Sequence, residues 1–581
     1  MKARKITALL TAFAMTLSLT ACGQKADTSA VSQTDNTAET GEAQKGTDEF
    51  ITLDFFCKPA NYQGIQGGWF GKVIQDKFNL EVNVLTPAIG GDELYQTRSA
   101  SGDLGDIISV SKSQLQDCIN AGIILDITDY YENSTYLKAY DVAVEGYKDW
   151  LGTDRVYGIP SRSSTRSALD PQTAGSQPSV GNFMRVDLYK VIGAPALSDT
   201  EDLLAALKAM QENNPVTEDG AKTYPFSMFK DWDGVYMKFP ITMIALYGYS
   251  AGSEGASFML LNADGSDTQD VAQDDGVYYQ MLKLLYNANQ MGLVDPDSSS
   301  QTWDMVVEKT KNGQVLWSMW PWASVDHFNT DQRADKGIGF QAIPVGDQII
   351  HADGYNQYGN YGNVLAIGAN CKNPDRAFEF LDWMASPEYM ELTNAGPLGL
   401  TWEIIDGKAV KTEYGKNVDD TTTVPEEYGG GSYKSGSYVF NEGVVLAEDI
   451  DPNTGESYSP TGWSSIIEGD RKKLQEDWTE IFGEQTPVDY LLKHDLMEVA
   501  PGTDYSFPAD SSEIATKRSQ CGEVITTASW NMVFAGNDDE FHAIWEQMKK
   551  ELTGFGYEDV LETDRQKIND LISARQKVLG K

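Results

Sequence analysis

The hydrophobic period changes twice between residues 51 and 85, and that succession constrains the fold more than any other feature of the chain. Ile51 to Cys57 and Leu80 to Leu85 read as strands, while Trp69 to Asn79 between them carries Phe70, Val73, Ile74 and Phe78 at helical spacing. Strand, helix, strand in immediate succession implies a parallel pairing through a right-handed crossover. A further strand is expected at Asp106 to Val110, with a helix opening near Ser111 and a new turn at Gly122-Ile123-Ile124-Leu125. The fold class is therefore α/β. Downstream helices carry their own punctuation. Ser198 with Glu201 predicts a capping box ahead of Leu203, Ala206, Leu207 and Met210. Asn373-Pro374 supplies a cap and a first-turn proline ahead of Ala377, Phe380, Leu381 and Met384, and Phe541, Ile544, Trp545, Met548 and Leu552 form a late apolar stripe. A body of more than 500 residues, 41% of them hydrophobic, is too long for one core. Two lobes or more are expected.

The N-terminus has the layout of an export signal. Lys2, Arg4 and Lys5 precede an apolar run from Ile6 to Leu19, shorter than the roughly 20 residues of a comfortable membrane span. The run ends in Leu19-Thr20-Ala21-Cys22, which resembles a bacterial lipobox; that resemblance implies cleavage after residue 21 and a diacylglyceryl group on Cys22. Residues 22–49 are almost wholly small, polar or charged beyond that cysteine, so they cannot bury enough apolar surface to offset ordering and read as a flexible tether. Losing the signal removes three positive charges and no negative ones, taking the formal charge from −41 to −44. Nucleic acid is an unsuitable partner for such a body, and membrane attachment falls to the lipid. The other cysteines, Cys57, Cys118, Cys371 and Cys521, lie far apart without a CxxC pair, and are expected to be free and buried.

Several local sequences then resemble a known family. They are SGDLGDIISV (101–110), VYGIPS (156–161), FMRVDLYKVIGAP (183–195), YYQMLKLLYNANQMGLVDPD (278–297), GQVLWSMWPW (313–322), NVLAIGANCKNPDRAFEFLDWMASPE (363–388) and GPLGLTW (396–402). In this order and spacing they are similar to the bacterial extracellular solute-binding proteins, family 1, of carbohydrate ABC transporters, the group with the maltose- and alginate-oligosaccharide-binding proteins. That resemblance implies a two-lobed periplasmic-binding-protein-like fold with a hinge and an interlobe ligand cleft. Residues 50–157 with 346–394 would form lobe one, and 158–345 with 395–581 lobe two. It also implies a monomer without a cofactor that hands its ligand to ABC permease subunits.

A sugar presents an apolar face of C–H groups and a rim of hydroxyls, so its binder needs flat rings beside donors and acceptors. Trp320-Pro321-Trp322 is the leading candidate, because the proline between two rings predicts a turn rather than a regular buried strand. Asp231 and Trp232, Tyr62 and Gln63, and Tyr355 and Tyr358 combine rings with amides or carboxylates in turn-like contexts. Trp402 closes the glycine-flanked turn, in which relatives often carry a glutamate where this chain has Leu398. Arg162, with Arg155, Arg166 and Arg185 nearby, could receive an acidic sugar or could pair with some of the 86 acidic side chains; the second option makes a neutral oligosaccharide the leading ligand, with an acidic glycan or a peptide as alternatives.

The enzymatic alternative rests on Gly248-Tyr249-Ser250-Ala251-Gly252, a GxSxG match that needs a strand before it and a helix after it. Ile241 to Tyr247 could be that strand, but a glycine-rich stretch follows, and a chance match is unsurprising among 53 glycines. A glycosidase would need two carboxyl groups roughly 5 to 9 Å apart, which sequence cannot locate. No Walker loop, HExxH or dinucleotide fingerprint occurs, and the chain is expected not to be an enzyme. Calcium is weakly signalled at Asn213–Gly220, which lacks alternating acidic ligands, and at Asp449–Gly455, where Pro460 stands in the place of the closing glutamate; no metal site is expected.

Overall fold

The computed structural model describes residues 49–252, 257–359, 362–469, 471–505 and 507–580. The export signal, Cys22 and nearly all of the tether lie outside these residues. The early strands build a six-stranded sheet in the order Gly64–Ile65, Leu80–Leu85, Ile51–Cys57, Ile107–Ser111, Asn363–Ile367, Ile159–Pro160. Helix Gly68–Phe78 connects Ile51–Cys57 to its parallel neighbour Leu80–Leu85, as the periodicity predicts. Strand Ile107–Ser111 pairs parallel with Ile51–Cys57, placing Phe55 opposite Ile107. It ends on Ser111, whose side chain joins Gln114 in a capping box that starts helix Lys112–Asn120.

Both faces of this sheet are covered, and strands Ile107–Ser111 and Asn363–Ile367 are buried almost throughout rather than alternating. Leu53, Phe55, Ile107, Leu365 and Ile367 enter a large cluster with the helix residues Phe70, Ile74, Phe380 and Leu381. Phe56, Ile108, Val110, Val364 and Ala366 enter a smaller one with Leu115 and Tyr147. Strand Asn363–Ile367 runs antiparallel to both neighbours, more than 300 residues after the sheet begins.

The other large hydrophobic cluster gathers Met184, Leu207, Met237, Leu285, Trp317 and Trp478 with the C-terminal helices Ser512–Val533, Asp538–Gly554 and Tyr557–Val578. A short antiparallel sheet, Trp317–Ser318 beside Phe183–Arg185 beside Phe340–Ala342, runs along it. Phe541, Trp545, Met548 and Leu552 are its buried stripe. Two local expectations shift. Helix Thr200–Asn213 is capped by Asp199, which accepts from the Glu201 and Asp202 amides, in place of Ser198. Pro321 does not make an isolated turn: it opens helix Pro321–Phe328 with Trp320 as N-cap, where a missing N–H removes no hydrogen bond.

Leu400, Val424, Phe440, Val444, Val445 and Tyr458 pack in the cluster built on the six-stranded sheet. The family resemblance implies residues 395–581 in the second lobe, whereas these side chains pack in the first cluster; nothing local to them marks which core receives them. Three segments, about 160–182, 346–363 and 459–473, therefore join the two large clusters. Two of them lie backbone to backbone: Gln172 donates its amide to the Asp353 carbonyl, and Gly502 donates to Ala168. A Cβ on Gly354 would come within 2.0 Å of the Ala168 oxygen and 2.9 Å of the Gly502 nitrogen, so only glycine fits this crossing.

Candidate functional site

Four tryptophans meet in a nest on the second large cluster. Its base is Phe229 and Phe239, edge to face at 5.5 Å, with Trp320 packed on Phe239 at 5.6 Å. These three rings are buried. Above them, Trp322 stacks on Trp320 with centroids 5.0 Å apart and planes 27° apart, Trp232 lies 5.5 Å from Trp322, and Trp303 touches both at 5.0 and 5.3 Å. Trp232 remains 40% exposed and Trp322 37%, so both residues keep solvent-accessible surface above the buried rings. Local polar contacts fix the nest. The Asp231 carboxylate accepts the Trp303 amide at 2.7 Å, tying the loop of Trp232 to the start of helix Trp303–Lys311. Ser324 donates to the Trp320 carbonyl at 2.8 Å.

Two cavities adjoin these rings. One, of about 580 Å³, is lined by Trp232 with Gln172, Ser179, Lys238, Tyr249 and His351 among others. The other, of about 450 Å³, is lined by Trp322 with Gln177, Asp326, Asn329, Gln341, Lys411 and Glu448 among others. Strand Gln177–Pro178 borders both, and its hairpin partner Thr173–Ala174 borders the second. The second cavity joins walls from different regions, since Trp322 and Asn329 belong to the later elements while Lys411 and Glu448 come from the 395–470 segment. Burial pushes the carboxyls of Glu448 and Asp326 above their usual range, with Arg162 and Arg166 opposing the shift at Glu448 and His327 opposing it at Asp326. Carboxyl groups, amides, an ammonium and indole faces along one surface are a set that can hold a polyhydroxylated solute with an apolar face.

Asp231, Trp232, Trp320 and Trp322 are thus brought together, although Trp320 is a foundation and Asp231 caps a helix. Arg162 sits elsewhere, in a left-handed backbone conformation (φ 53°) uncommon for a side-chain-bearing residue. It donates to the Asn441 carbonyl at 3.2 Å and its charge opposes the burial-driven rise of the Glu442 pKa. Asn441 in turn donates to Pro59, on the loop that leads to Tyr62 and Gln63, both exposed. Tyr355, Tyr358 and Trp402 are not drawn to the tryptophan nest. Tyr355 is buried, accepts a 2.8 Å hydrogen bond from Arg166, and has its hydroxyl pushed up to about 12, mainly by burial. Tyr358 lies over Gly146, and Trp402 is buried against Trp463 with its indole N–H bonded to the Gly396 carbonyl. Sequence reasoning missed Trp303, Glu448 and Asp326. Trp303 had a readable signal, a large ring beside Asp304 at the start of a helix; the two carboxyls had none among so many acids.

The GxSxG serine lacks its elbow. Helix Lys238–Met243 and a 3-10 turn Ile244–Tyr247 precede it where a strand was required, and Ser250 itself lies in an antiparallel strand opposite Leu261. His351 lines the same cavity, but its Nδ1 faces the Gly248 carbonyl at 3.3 Å and its Nε2 faces Asp353 at 3.2 Å. Neither ring nitrogen bonds the serine, so His351 is not arranged as its base. At the two weak calcium loops the carboxylates have internal partners: in the first, Asp219 accepts from the Thr217 hydroxyl, and in the second, Asp449 accepts from the Thr165 amide and hydroxyl while Asp451 accepts from Asn453 and Thr454. Among the described residues no group of three His, Cys, Asp or Glu side chains is arranged to hold a metal, and no helix is long and apolar enough to cross a membrane. The four described cysteines are unpaired; Cys57, Cys118 and Cys521 are buried and Cys371 is half-buried.

The sequence profile of the bacterial extracellular solute-binding proteins matches residues 63–391, more than half of the chain. The protein belongs to this family, one of binders rather than catalysts. No curated sequence matches the chain. Among solved structures, the alginate-binding protein AlgQ2, determined without calcium ion, superposes with a TM-score of 0.58 at 16% identity, covering 91% of this chain and 100% of its own. A Streptococcus pneumoniae ABC-transporter substrate-binding protein, FusA, in complex with kestose gives 0.57 at 15% identity, covering 89% and 99%. An HMO-binding solute-binding protein from Bifidobacterium longum infantis gives 0.55 at 14% identity, covering 91% and 100%. At these identities the likeness is one of fold.

Proposed function

We propose that this protein captures a neutral oligosaccharide in a cleft between two lobes and delivers it to the permease of an ABC importer. The observation that carries the proposal is the pair of half-exposed rings, Trp232 and Trp322, on a buried aromatic base, each lining a cavity that mixes polar and apolar groups. Indole faces stack on sugar C–H surfaces, and the flanking amides and carboxyls serve the hydroxyl rim. Neutral ligand is favoured over acidic because the nearby arginines have internal partners. Arg155 faces Asp126 at 3.3 Å, Arg166 bonds Tyr355 and the Glu448 carbonyl, and Arg185 grips Asp187 through two donors. A mature charge of −44 further repels an anionic glycan. Structural neighbours are described as binding both kinds, kestose for one and alginate for another, so fold alone does not choose.

The lobes would be the two large clusters, with residues 49–159 and 364–458 in one and 184–345 and 474–580 in the other. Three crossing segments would act as the hinge, and a ligand touching both walls of the Trp322 cavity would favour closure. Cys22 would carry the lipid, with the stretch to Glu49 as tether and the body a monomer. The test is calorimetry of the mature protein against neutral and uronic-acid oligosaccharides at low and high salt, with product analysis. Binding of a neutral sugar with little salt dependence is expected. Exclusive binding of acidic glycans or peptides, or release of reducing sugar or ester product, would overturn the proposal.

A further inference from the structure

Away from the tryptophan nest, the packed helices Ser512–Val533 and Asp538–Gly554 border an open groove of about 710 Å³. Its floor is apolar: Ala528 and Met548 are buried, Val524 and Ile544 half-buried, and Phe555 at its end is 40% exposed. Its rim carries Glu523, Glu540 and Glu551. Glu540 accepts the Gly536 amide and Glu551 accepts from Gln547, yet among the described residues none of the three carboxylates forms an ion pair, although 45 Lys and Arg are spread over the chain. From Glu540 to Phe555 the wall runs 15 residues, roughly 22 Å at about 1.5 Å per residue.

We infer that this groove is a docking surface for a basic amphipathic helix of about four turns from a partner protein. Such a helix lays an apolar stripe at i, i+3, i+4, i+7 on the floor and brings Lys or Arg to the carboxylate rim. Alternative occupants fit worse. A second copy of this chain would set the acidic rims of two strongly anionic molecules against each other, and an anionic lipid surface would meet the same carboxylates. The inference is independent of the sugar site.

The probe is a 15-residue amphipathic Leu/Lys helix, titrated into the mature protein and followed by fluorescence anisotropy at low and moderate salt. Expected is saturable binding that the double variant Glu523→Gln/Glu551→Gln weakens at least tenfold and Ile544→Ser weakens comparably, with helical circular dichroism of each variant unchanged. The control pair Glu201→Gln/Glu212→Gln, of equal charge change on helix Thr200–Asn213, should leave affinity within twofold. Absence of binding at low salt, or equal weakening by the control pair, would overturn the inference. So would a concentration-dependent dimer in sedimentation velocity that Ile544→Ser abolishes, which would assign the groove to a second copy.

Discussion

Replacing Trp322 by alanine removes a ring that the fold leaves 37% exposed. With about 200–250 Å² for a tryptophan side chain, roughly 80 Å² of indole is available to a ligand, worth about 2 kcal/mol at about 25 cal/mol per Å². Loss of that surface should weaken binding about thirtyfold. The remainder of the ring packs on Trp232, Trp303 and Trp320, so thermal stability should fall as well, and affinity must be read on protein shown to be folded. Trp402→Ala provides the contrast. Trp402 is 1% exposed, bonded to Gly396 and packed on Trp463, so truncation should cost about 3–5 kcal/mol of stability with affinity of the folded fraction unchanged. Calorimetric titration with the best oligosaccharide, alongside circular dichroism melts, separates the two signatures. Unchanged affinity in both Trp322→Ala and Trp232→Ala, or a Trp402→Ala loss of affinity as large as theirs, would refute the assignment of the nest as the platform.

Three further outcomes follow from individual contacts. Burial, reinforced by the nearby Asp451 carboxyl and opposed by a hydrogen bond from Asn453, raises the Glu391 pKa to about 7. Its folded pKa thus exceeds its unfolded one, so its contribution to stability is full below about pH 4.5 and is lost as pH rises through about 7; Glu391→Gln should flatten that decline in urea melts at pH 5 and 8, and an unchanged slope would contradict it. Arg162→Ala should lower the melting temperature, since Glu442 loses a nearby cation while buried, yet leave neutral-sugar affinity within about threefold; abolished binding would make Arg162 a ligand contact. Gly354→Ala should destabilise by about 2 kcal/mol or more through its clash with Ala168, and a wild-type melt would show that the crossing relaxes freely.

The local elements of this protein were legible in its sequence because they depend on residues within a turn or two of one another. The period-2 runs at Ile51–Cys57 and Leu80–Leu85, the helical stripe between them and the proline that opens helix Pro374–Trp383 all formed where the pattern placed them. Family membership was legible for a related reason: it resides in the order of many short segments, none decisive alone. Tertiary structure alone decided which rings meet solvent. Trp322 and Trp402 have similar local surroundings of small and apolar residues, yet one is held at the surface of a six-ring nest and the other is sealed beneath Trp463. Tyr355 is claimed by Arg166, 189 positions earlier, and the strand Asn363–Ile367 reaches the first sheet from far along the chain. Exposure is set largely by partners brought from tens to nearly two hundred residues away, and no period or motif around a side chain carries the identity of those partners.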